Sequence, residues 1–156
     1  MLISLIVPCY NEEEAMPLFY KEASRVAAEM KASHGAEFEF IFVDDGSRDG
    51  TLRVARELHA QDPRVRYVSF SRNFGKEASI FAGLRAAKGD CCVVIDCDLQ
   101  HPPQVIPQML ALWRDGYEVV EGVKAGRGKE GLAYKLSAGL FYRMISRVTK
   151  IDMAAS

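Results

Sequence analysis

The 156-residue sequence predicts an α/β fold, a Rossmann-like, mostly parallel sheet with helices on both faces. Three observations predict it. Short continuous apolar runs, such as LISLIV (2–7) and CCVVID (91–96), read as strands buried on both sides. Segments with helical spacing alternate with those runs. Acids, amides and glycines gather just after each run, where an open parallel sheet places its ligands.

The first run, 2–7, is closed by Pro8. Residues 12 to 33 carry helix formers, with Ala15, Leu18, Phe19 and Val26 at helical spacing. FEFIFV (38–43) is the second strand, followed by the turn DDGSRDG and a helix over 51–61. VRYVSF (65–70) is the third strand, and a helix over 76–88 is closed by Gly89 as a C-cap. CCVVID (91–96) is the fourth strand. Pro102 and Pro103 suit the first turn of the next helix, which runs to about Asp115 before Gly116. YEVVEG (117–122) predicts a fifth strand, and a Gly/Lys/Arg loop (124–131) leads to an amphipathic helix over 132–149.

Composition fits one globular domain, with 49% apolar and 26% charged residues. The net charge of −1 gives no argument for a nucleic-acid partner. Charge is uneven, however: residues 124 to 150 hold seven basic residues and one acid. A solvated helix face accounts for this, as do an anionic partner and a membrane surface. Four cysteines (Cys9, Cys91, Cys92, Cys97) show neither a CxxC pair nor zinc spacing, and are read as reduced, in a cytoplasmic setting. MLISLIVP lacks a basic n-region and reaches Pro8 too early for a signal peptide. No apolar run approaches a membrane span, so the chain is expected to be soluble.

In a parallel sheet four polar clusters share one edge: PCYNE (8–12), DDGS (44–47), SRNFGK (71–76) and DCDLQ (96–100). Asp96 and Asp98 repel each other unless a cation or protons lie between them. Oxygen ligands favour a hard ion such as Mg²⁺ or Mn²⁺, which keeps waters and bridges to phosphates, and Gln100 can add a carbonyl. Alternatively, Asp98 caps the next helix and Asp96 faces water. Asp44 or Asp45 could accept from a base N–H or a ribose hydroxyl, or could serve turn chemistry alone. Arg72 and Lys76 could meet a diphosphate. His101 is read as a turn residue, because a hard ion prefers oxygen and Pro102 holds it extended. No GxGxxG follows the first strand, which argues against a dinucleotide-binding domain.

The set VPCYNEEE (7–14), VDDGSRDGT (43–51), SRNFGKEA (71–78) and DCDLQHPPQ (96–104) resembles family 2 glycosyltransferases of the GT-A fold. More narrowly it resembles the polyprenyl-phosphate sugar transferases, bactoprenol glucosyltransferases and dolichyl-phosphate mannose synthases. The resemblance spans the chain, with its motifs in order. It implies inverting transfer of a hexose from a nucleotide sugar to a polyprenyl phosphate, with UDP-glucose favoured by SRNFGKEA and GDP-mannose as the alternative donor. It places Pro8, Tyr10, Asn11, Glu12, Asp44, Asp45, Arg72, Asn73, Gly75 and Lys76 in the nucleotide pocket. Asp96 then lies near ribose and metal, and Asp98 is the main metal ligand, with Gln100 assisting. Lys124, Arg127, Lys135 and Ser137 fall where similar chains contact the acceptor phosphate, and Arg143 and Arg147 could meet anionic headgroups. Cys97 stands where similar chains often hold a small residue. The resemblance also implies a continuation past IDMAAS into a D-F-x-L stretch and membrane region. The chain is therefore expected to be a truncated catalytic domain, from an enzyme at the cytoplasmic face of the cell membrane. Two other classes remain open: a phosphoacceptor signalling domain, and a nucleotide-binding module inactive as truncated.

Overall fold

Why these runs become strands is clear from their burial. In the computed structural model, which describes residues 1–122, β1 (Leu2–Cys9) and β2 (Glu37–Asp44) are buried along nearly their whole length. Apolar side chains on both faces need cover on both faces, which only a layered α/β arrangement supplies. The other strands are β3 (Val65–Ser69) and β4 (Cys91–Val94). The sheet order is β3-β2-β1-β4, and every pairing is parallel.

Four α-helices cover the sheet: α1 (Ala15–His34), α2 (Thr51–Gln61), α3 (Lys76–Ala86) and α4 (Ile106–Arg114). Phe19, Val26 and Met30 of α1, Val54 and Leu58 of α2, and Ile106 and Leu110 of α4 share one core with Leu5, Val7, Phe40 and Phe42. α3 packs on the opposite face, where Gly83 lies against Ile6. The expected helices on both faces are thus present. The chain divides into two units, Met1–Val120 and Glu121–Ser156, and the fold described here is that of the first.

Four boundaries differ from expectation. α1 starts at Ala15, because residues 12 to 14 form a turn that belongs to the site. β4 ends at Val94, releasing Asp96 into the following loop. The turn of Pro103–Val105 is a 3-10 helix before α4 begins. Gly89 is not the cap of α3, which ends at Ala86 with Ala87 as its C-cap. Instead a Cβ on Gly89 would lie 2.8 Å from Leu2 O and Ser4 N, so glycine is needed for contact with β1.

The expected fifth strand over 117–122 is not formed. Val119 is 86% exposed, and the outer edge of β4 has no partner among the described residues. An extended segment becomes a strand only where a neighbour accepts its hydrogen bonds. The helix expected over 132–149 lies outside the described residues, as do Arg143 and Arg147. No helix among the described residues is long and apolar enough to cross a membrane.

Candidate active site

β2 and β3 lie on one side of β1, and β4 on the other. Loops leaving β1 and β4 therefore diverge, opening a crevice at their carboxyl ends. A cleft of about 320 Å³ occupies that position. It is lined by Pro8, Cys9, Tyr10 and Glu12 after β1, by Asp45, and by Asn73, Gly75, Lys76 and Ser79. Asp96, Cys97 and Asp98 close it from β4. A larger cleft, about 410 Å³, runs beside β4 and α4 and is walled by Val93, Met109, Leu110 and Trp113. Among the described residues its charged lining is Glu118 alone, so converging polar chemistry belongs to the smaller cleft.

The loops of the smaller cleft are tied to one another. Asp45, buried, accepts from the N–H groups of Phe74 (2.7 Å) and Gly75 (2.9 Å). Asp44 accepts from Ser47 N–H (3.0 Å) and from the Ser69 hydroxyl (2.9 Å). Gly46 sits at φ 66° against Arg72, where a Cβ would come within 2.3 Å of the backbone. Side chains are excluded there twice over, by conformation and by space. Asn11, at φ 56°, donates its N–H to Ser47 Oγ (3.0 Å) and accepts from Arg48 N–H (2.9 Å). Glu12 donates its N–H to Thr51 Oγ1 (2.7 Å).

Charge converges in the cleft. Lys76 Nζ reaches both oxygens of Asp96, at 2.6 and 2.7 Å. Asp98 accepts from Gln100 N–H (2.9 Å), which folds the acid-bearing loop on itself. Burial, followed by the nearby Asp98, Asp49 and Asp96, pushes the Glu12 carboxyl above its usual range. The Cys97 thiol, followed by burial, holds the Cys9 thiol well above its ordinary range.

Most expected pocket residues thus meet: Pro8, Tyr10, Glu12, Asp45, Asn73, Gly75, Lys76, Asp96 and Asp98 share the cleft. Asn11, Asp44, Arg72 and Gln100 are not among its lining residues. The first two are engaged in holding loops, and the Arg72 guanidinium stacks 4.5 Å from the Phe74 ring. Three lining residues carried no such expectation. Ser79 is fully buried one turn into α3, and Cys9 and Cys97 read in sequence only as reduced thiols. Lys124, Arg127, Lys135 and Ser137 lie outside the described residues.

The donor chemistry fits a hard divalent cation. Among the described residues no three His, Cys, Asp or Glu side chains converge tightly enough to enclose an ion. Two carboxylates at an open cleft suit an ion that takes its remaining ligands from water and phosphate oxygens.

The sequence pattern that defines glycosyl transferase family 2 matches residues 4–154. The chain belongs to glycosyltransferase family 2. It is 42% identical over 150 residues to the uncharacterised glycosyltransferase YkcC of Bacillus subtilis, covering 96% of this chain and 45% of that protein. It is equally 42% identical over 149 residues to the bactoprenol glucosyl transferase of Shigella phage SfV, covering 96% and 47%. This family 2 chain therefore spans about half the length of the curated relatives it matches. Among solved structures it resembles Staphylococcus aureus TarS 1-349 in complex with UDP-GlcNAc, with a TM-score of 0.57 and 25% identity over 84% of this chain and 37% of that one. It also resembles the mannosyltransferase PcManGT of Pyrobaculum calidifontis in complex with GDP-Man and Mn²⁺, with a TM-score of 0.52 and 26% identity over 62% and 27%. The GT-A expectation agrees with these likenesses and with the parallel sheet.

Proposed function

We propose that this chain is the nucleotide-sugar half of an inverting glycosyltransferase that moves a hexose, glucose by preference, from a UDP-sugar to a polyprenyl phosphate. The observation that carries the reading is the convergence of Asp96, Asp98, Lys76 and Asp45 in one cleft at the divergence of β1 and β4. The relatives named bactoprenol glucosyl transferase support glucose and a polyprenyl acceptor.

In this reading Asp96 and Asp98 hold the metal, Mg²⁺ or Mn²⁺. Bound there, it supplies positive charge against the leaving diphosphate, the electrostatic stabilisation that usually dominates such transfers. Lys76 sits opposite Asp96 and turns its ammonium to a phosphate oxygen. Asp45 holds the Phe74–Gly75 backbone as the wall against which the nucleoside lies. The acceptor phosphate attacks C1 of the sugar from the side away from the diphosphate, so the C1–O bond to the donor breaks as the new one forms. A phosphate is already ionised near neutral pH, so no strong general base is required. The basic stretch from Lys124, with Arg127, Lys135 and Ser137, serves the acceptor at the cytoplasmic face of the membrane.

Thermal unfolding with Mn²⁺ and a panel of nucleotides tests the donor. UDP at a hundred times its Kd should stabilise the chain by about 2.7 kcal/mol, and Asp98→Ala should abolish that gain. Greater stabilisation by GDP than by UDP would move the donor to GDP-mannose, the reading to which PcManGT points. Radiolabelled sugar transfer to polyprenyl phosphate, with a chain extended to the length of the relatives, tests the reaction. Full transfer by Asp98→Ala would overturn the metal assignment.

A further inference from the structure

Two of the four cysteines, Cys9 at the end of β1 and Cys97 in the turn after β4, line one cleft. β1 and β4 pair in parallel register, ending at Ile6 opposite Val94. The last bond of that ladder runs from Ile95 N–H to Ile6 O at 3.1 Å. Beyond that pair β4 gives way to a turn, and the Cys97 thiol of that turn lies beside the Cys9 thiol. A disulfide requires roughly 4.4–6.8 Å between the two Cα atoms. Both side chains also face the same layer. Val7, Cys9, Ile95 and Cys97 all belong to the core under α1 and α4. Both cysteines line the smaller cleft and are 2% and 1% exposed. Cys91 and Cys92 differ in kind: they are consecutive in β4, so their side chains point to opposite faces.

We propose that Cys9 and Cys97 form a thiol–disulfide modification site, closed by hydrogen peroxide, that pins the acid-bearing loop to the end of β1. One thiol attacks the peroxide, the O–O bond breaks, and a sulfenic acid and water result. The second thiol attacks that sulfur, the S–O bond breaks, and a second water leaves as the S–S bond forms. Two electrons pass from the sulfurs to the peroxide, and both thiol protons end in water. Cys97 lies between Asp96 and Asp98, and Cys9 between Pro8 and Tyr10. The bond therefore fixes the carboxylates relative to the cleft floor and weakens binding of UDP with Mn²⁺. This consequence rests on the nucleotide reading above, whereas the pair itself rests on packing in one core and one cleft.

The native chain is treated with hydrogen peroxide, alkylated and digested with trypsin. The expected product is lighter by about 2 Da than the unoxidised chain, with the 1–21 peptide joined to the 89–114 peptide through Cys97. Cys91→Ser with Cys92→Ser keeps the link, and Cys97→Ser removes it. The stabilisation by UDP with Mn²⁺ falls by at least half and returns with dithiothreitol. A link through Cys91 or Cys92, addition of oxygen at Cys9 or Cys97 without a link, or thiols that stay reduced while peroxide oxidises the urea-unfolded chain would overturn the pair. A link that leaves UDP binding unchanged would overturn its control of the cleft. A reduced chain that binds no nucleotide would overturn the nucleotide reading, and the peptide map would still decide the disulfide.

Discussion

Asp45 shows how one side chain can shape a site by what it holds. Its two oxygens accept from consecutive N–H groups, Phe74 and Gly75, at 2.7 and 2.9 Å. A buried carboxylate removed from two amide donors leaves both unsatisfied. Asp45→Ala should therefore cost about 2–3 kcal/mol in urea unfolding, and it should also abolish stabilisation by UDP. Asp45→Asn retains one acceptor oxygen and should recover about half of the stability. Asp44 and Asp45 were legible in sequence as polar residues at a strand end, but not their division of labour. Both are held by backbone or hydroxyl donors from chain 25 to 30 residues away or from their own turn, and no local pattern records those partners.

Between elements, the opposite end of the sheet is held by Glu39 of β2. Its carboxylate accepts from the Ser4 hydroxyl (2.6 Å), from Lys88 N–H (2.6 Å) and from Arg66 (3.0 Å). Burial alone would raise its pKa, but these three donors bring it below the usual range. Gly89 N–H donates to Ser4 Oγ (2.8 Å), joining the chain after α3 to β1. Gly89→Ala forces a Cβ onto backbone atoms of Leu2 and Ser4 that cannot swing aside. The expected loss is about 2–3 kcal/mol by thermal or urea unfolding, the range of overpacking a tight contact, with nucleotide affinity little changed because the cleft is at the other edge. Sequence pattern alone assigned this glycine to helix capping; the missing information was the 85-residue separation between it and Ser4.

For the whole molecule, acid stability turns on a junction of α1, β3 and the end of α2. Arg64 is the main cause, and Tyr20 a further one, that lowers the Asp62 carboxyl from 3.8 to about 2. A depressed carboxylate pKa stabilises the fold above the unfolded value, and that contribution is lost as pH falls from 3.8 through about 2. The difference corresponds to about 2 kcal/mol, and solvent screening at the 40%-exposed Arg64 side chain reduces it to about 1 kcal/mol. Asp62→Asn should thus be less stable than the parent chain at pH 7, with the gap closing near pH 2 in denaturant titrations across pH. By itself the sequence determined four of the five expected strands, the four described helices except at their ends, and which residue types collect after each strand. Those follow from periodicity over a few neighbouring residues, which is a record of burial. The family resemblance carried by the motifs also came from the sequence. Only the tertiary structure decided the order β3-β2-β1-β4, which brings Asp96 and Asp98 beside the loop of β1 and opens the cleft between them. It also turned Asn11 and Asp44 to loop-holding, brought Cys9 and Cys97 to one cleft, and left residues 117–122 out of the sheet. Each of these depends on lateral contacts between segments far apart in the chain, and such contacts leave no local period in the residues that make them.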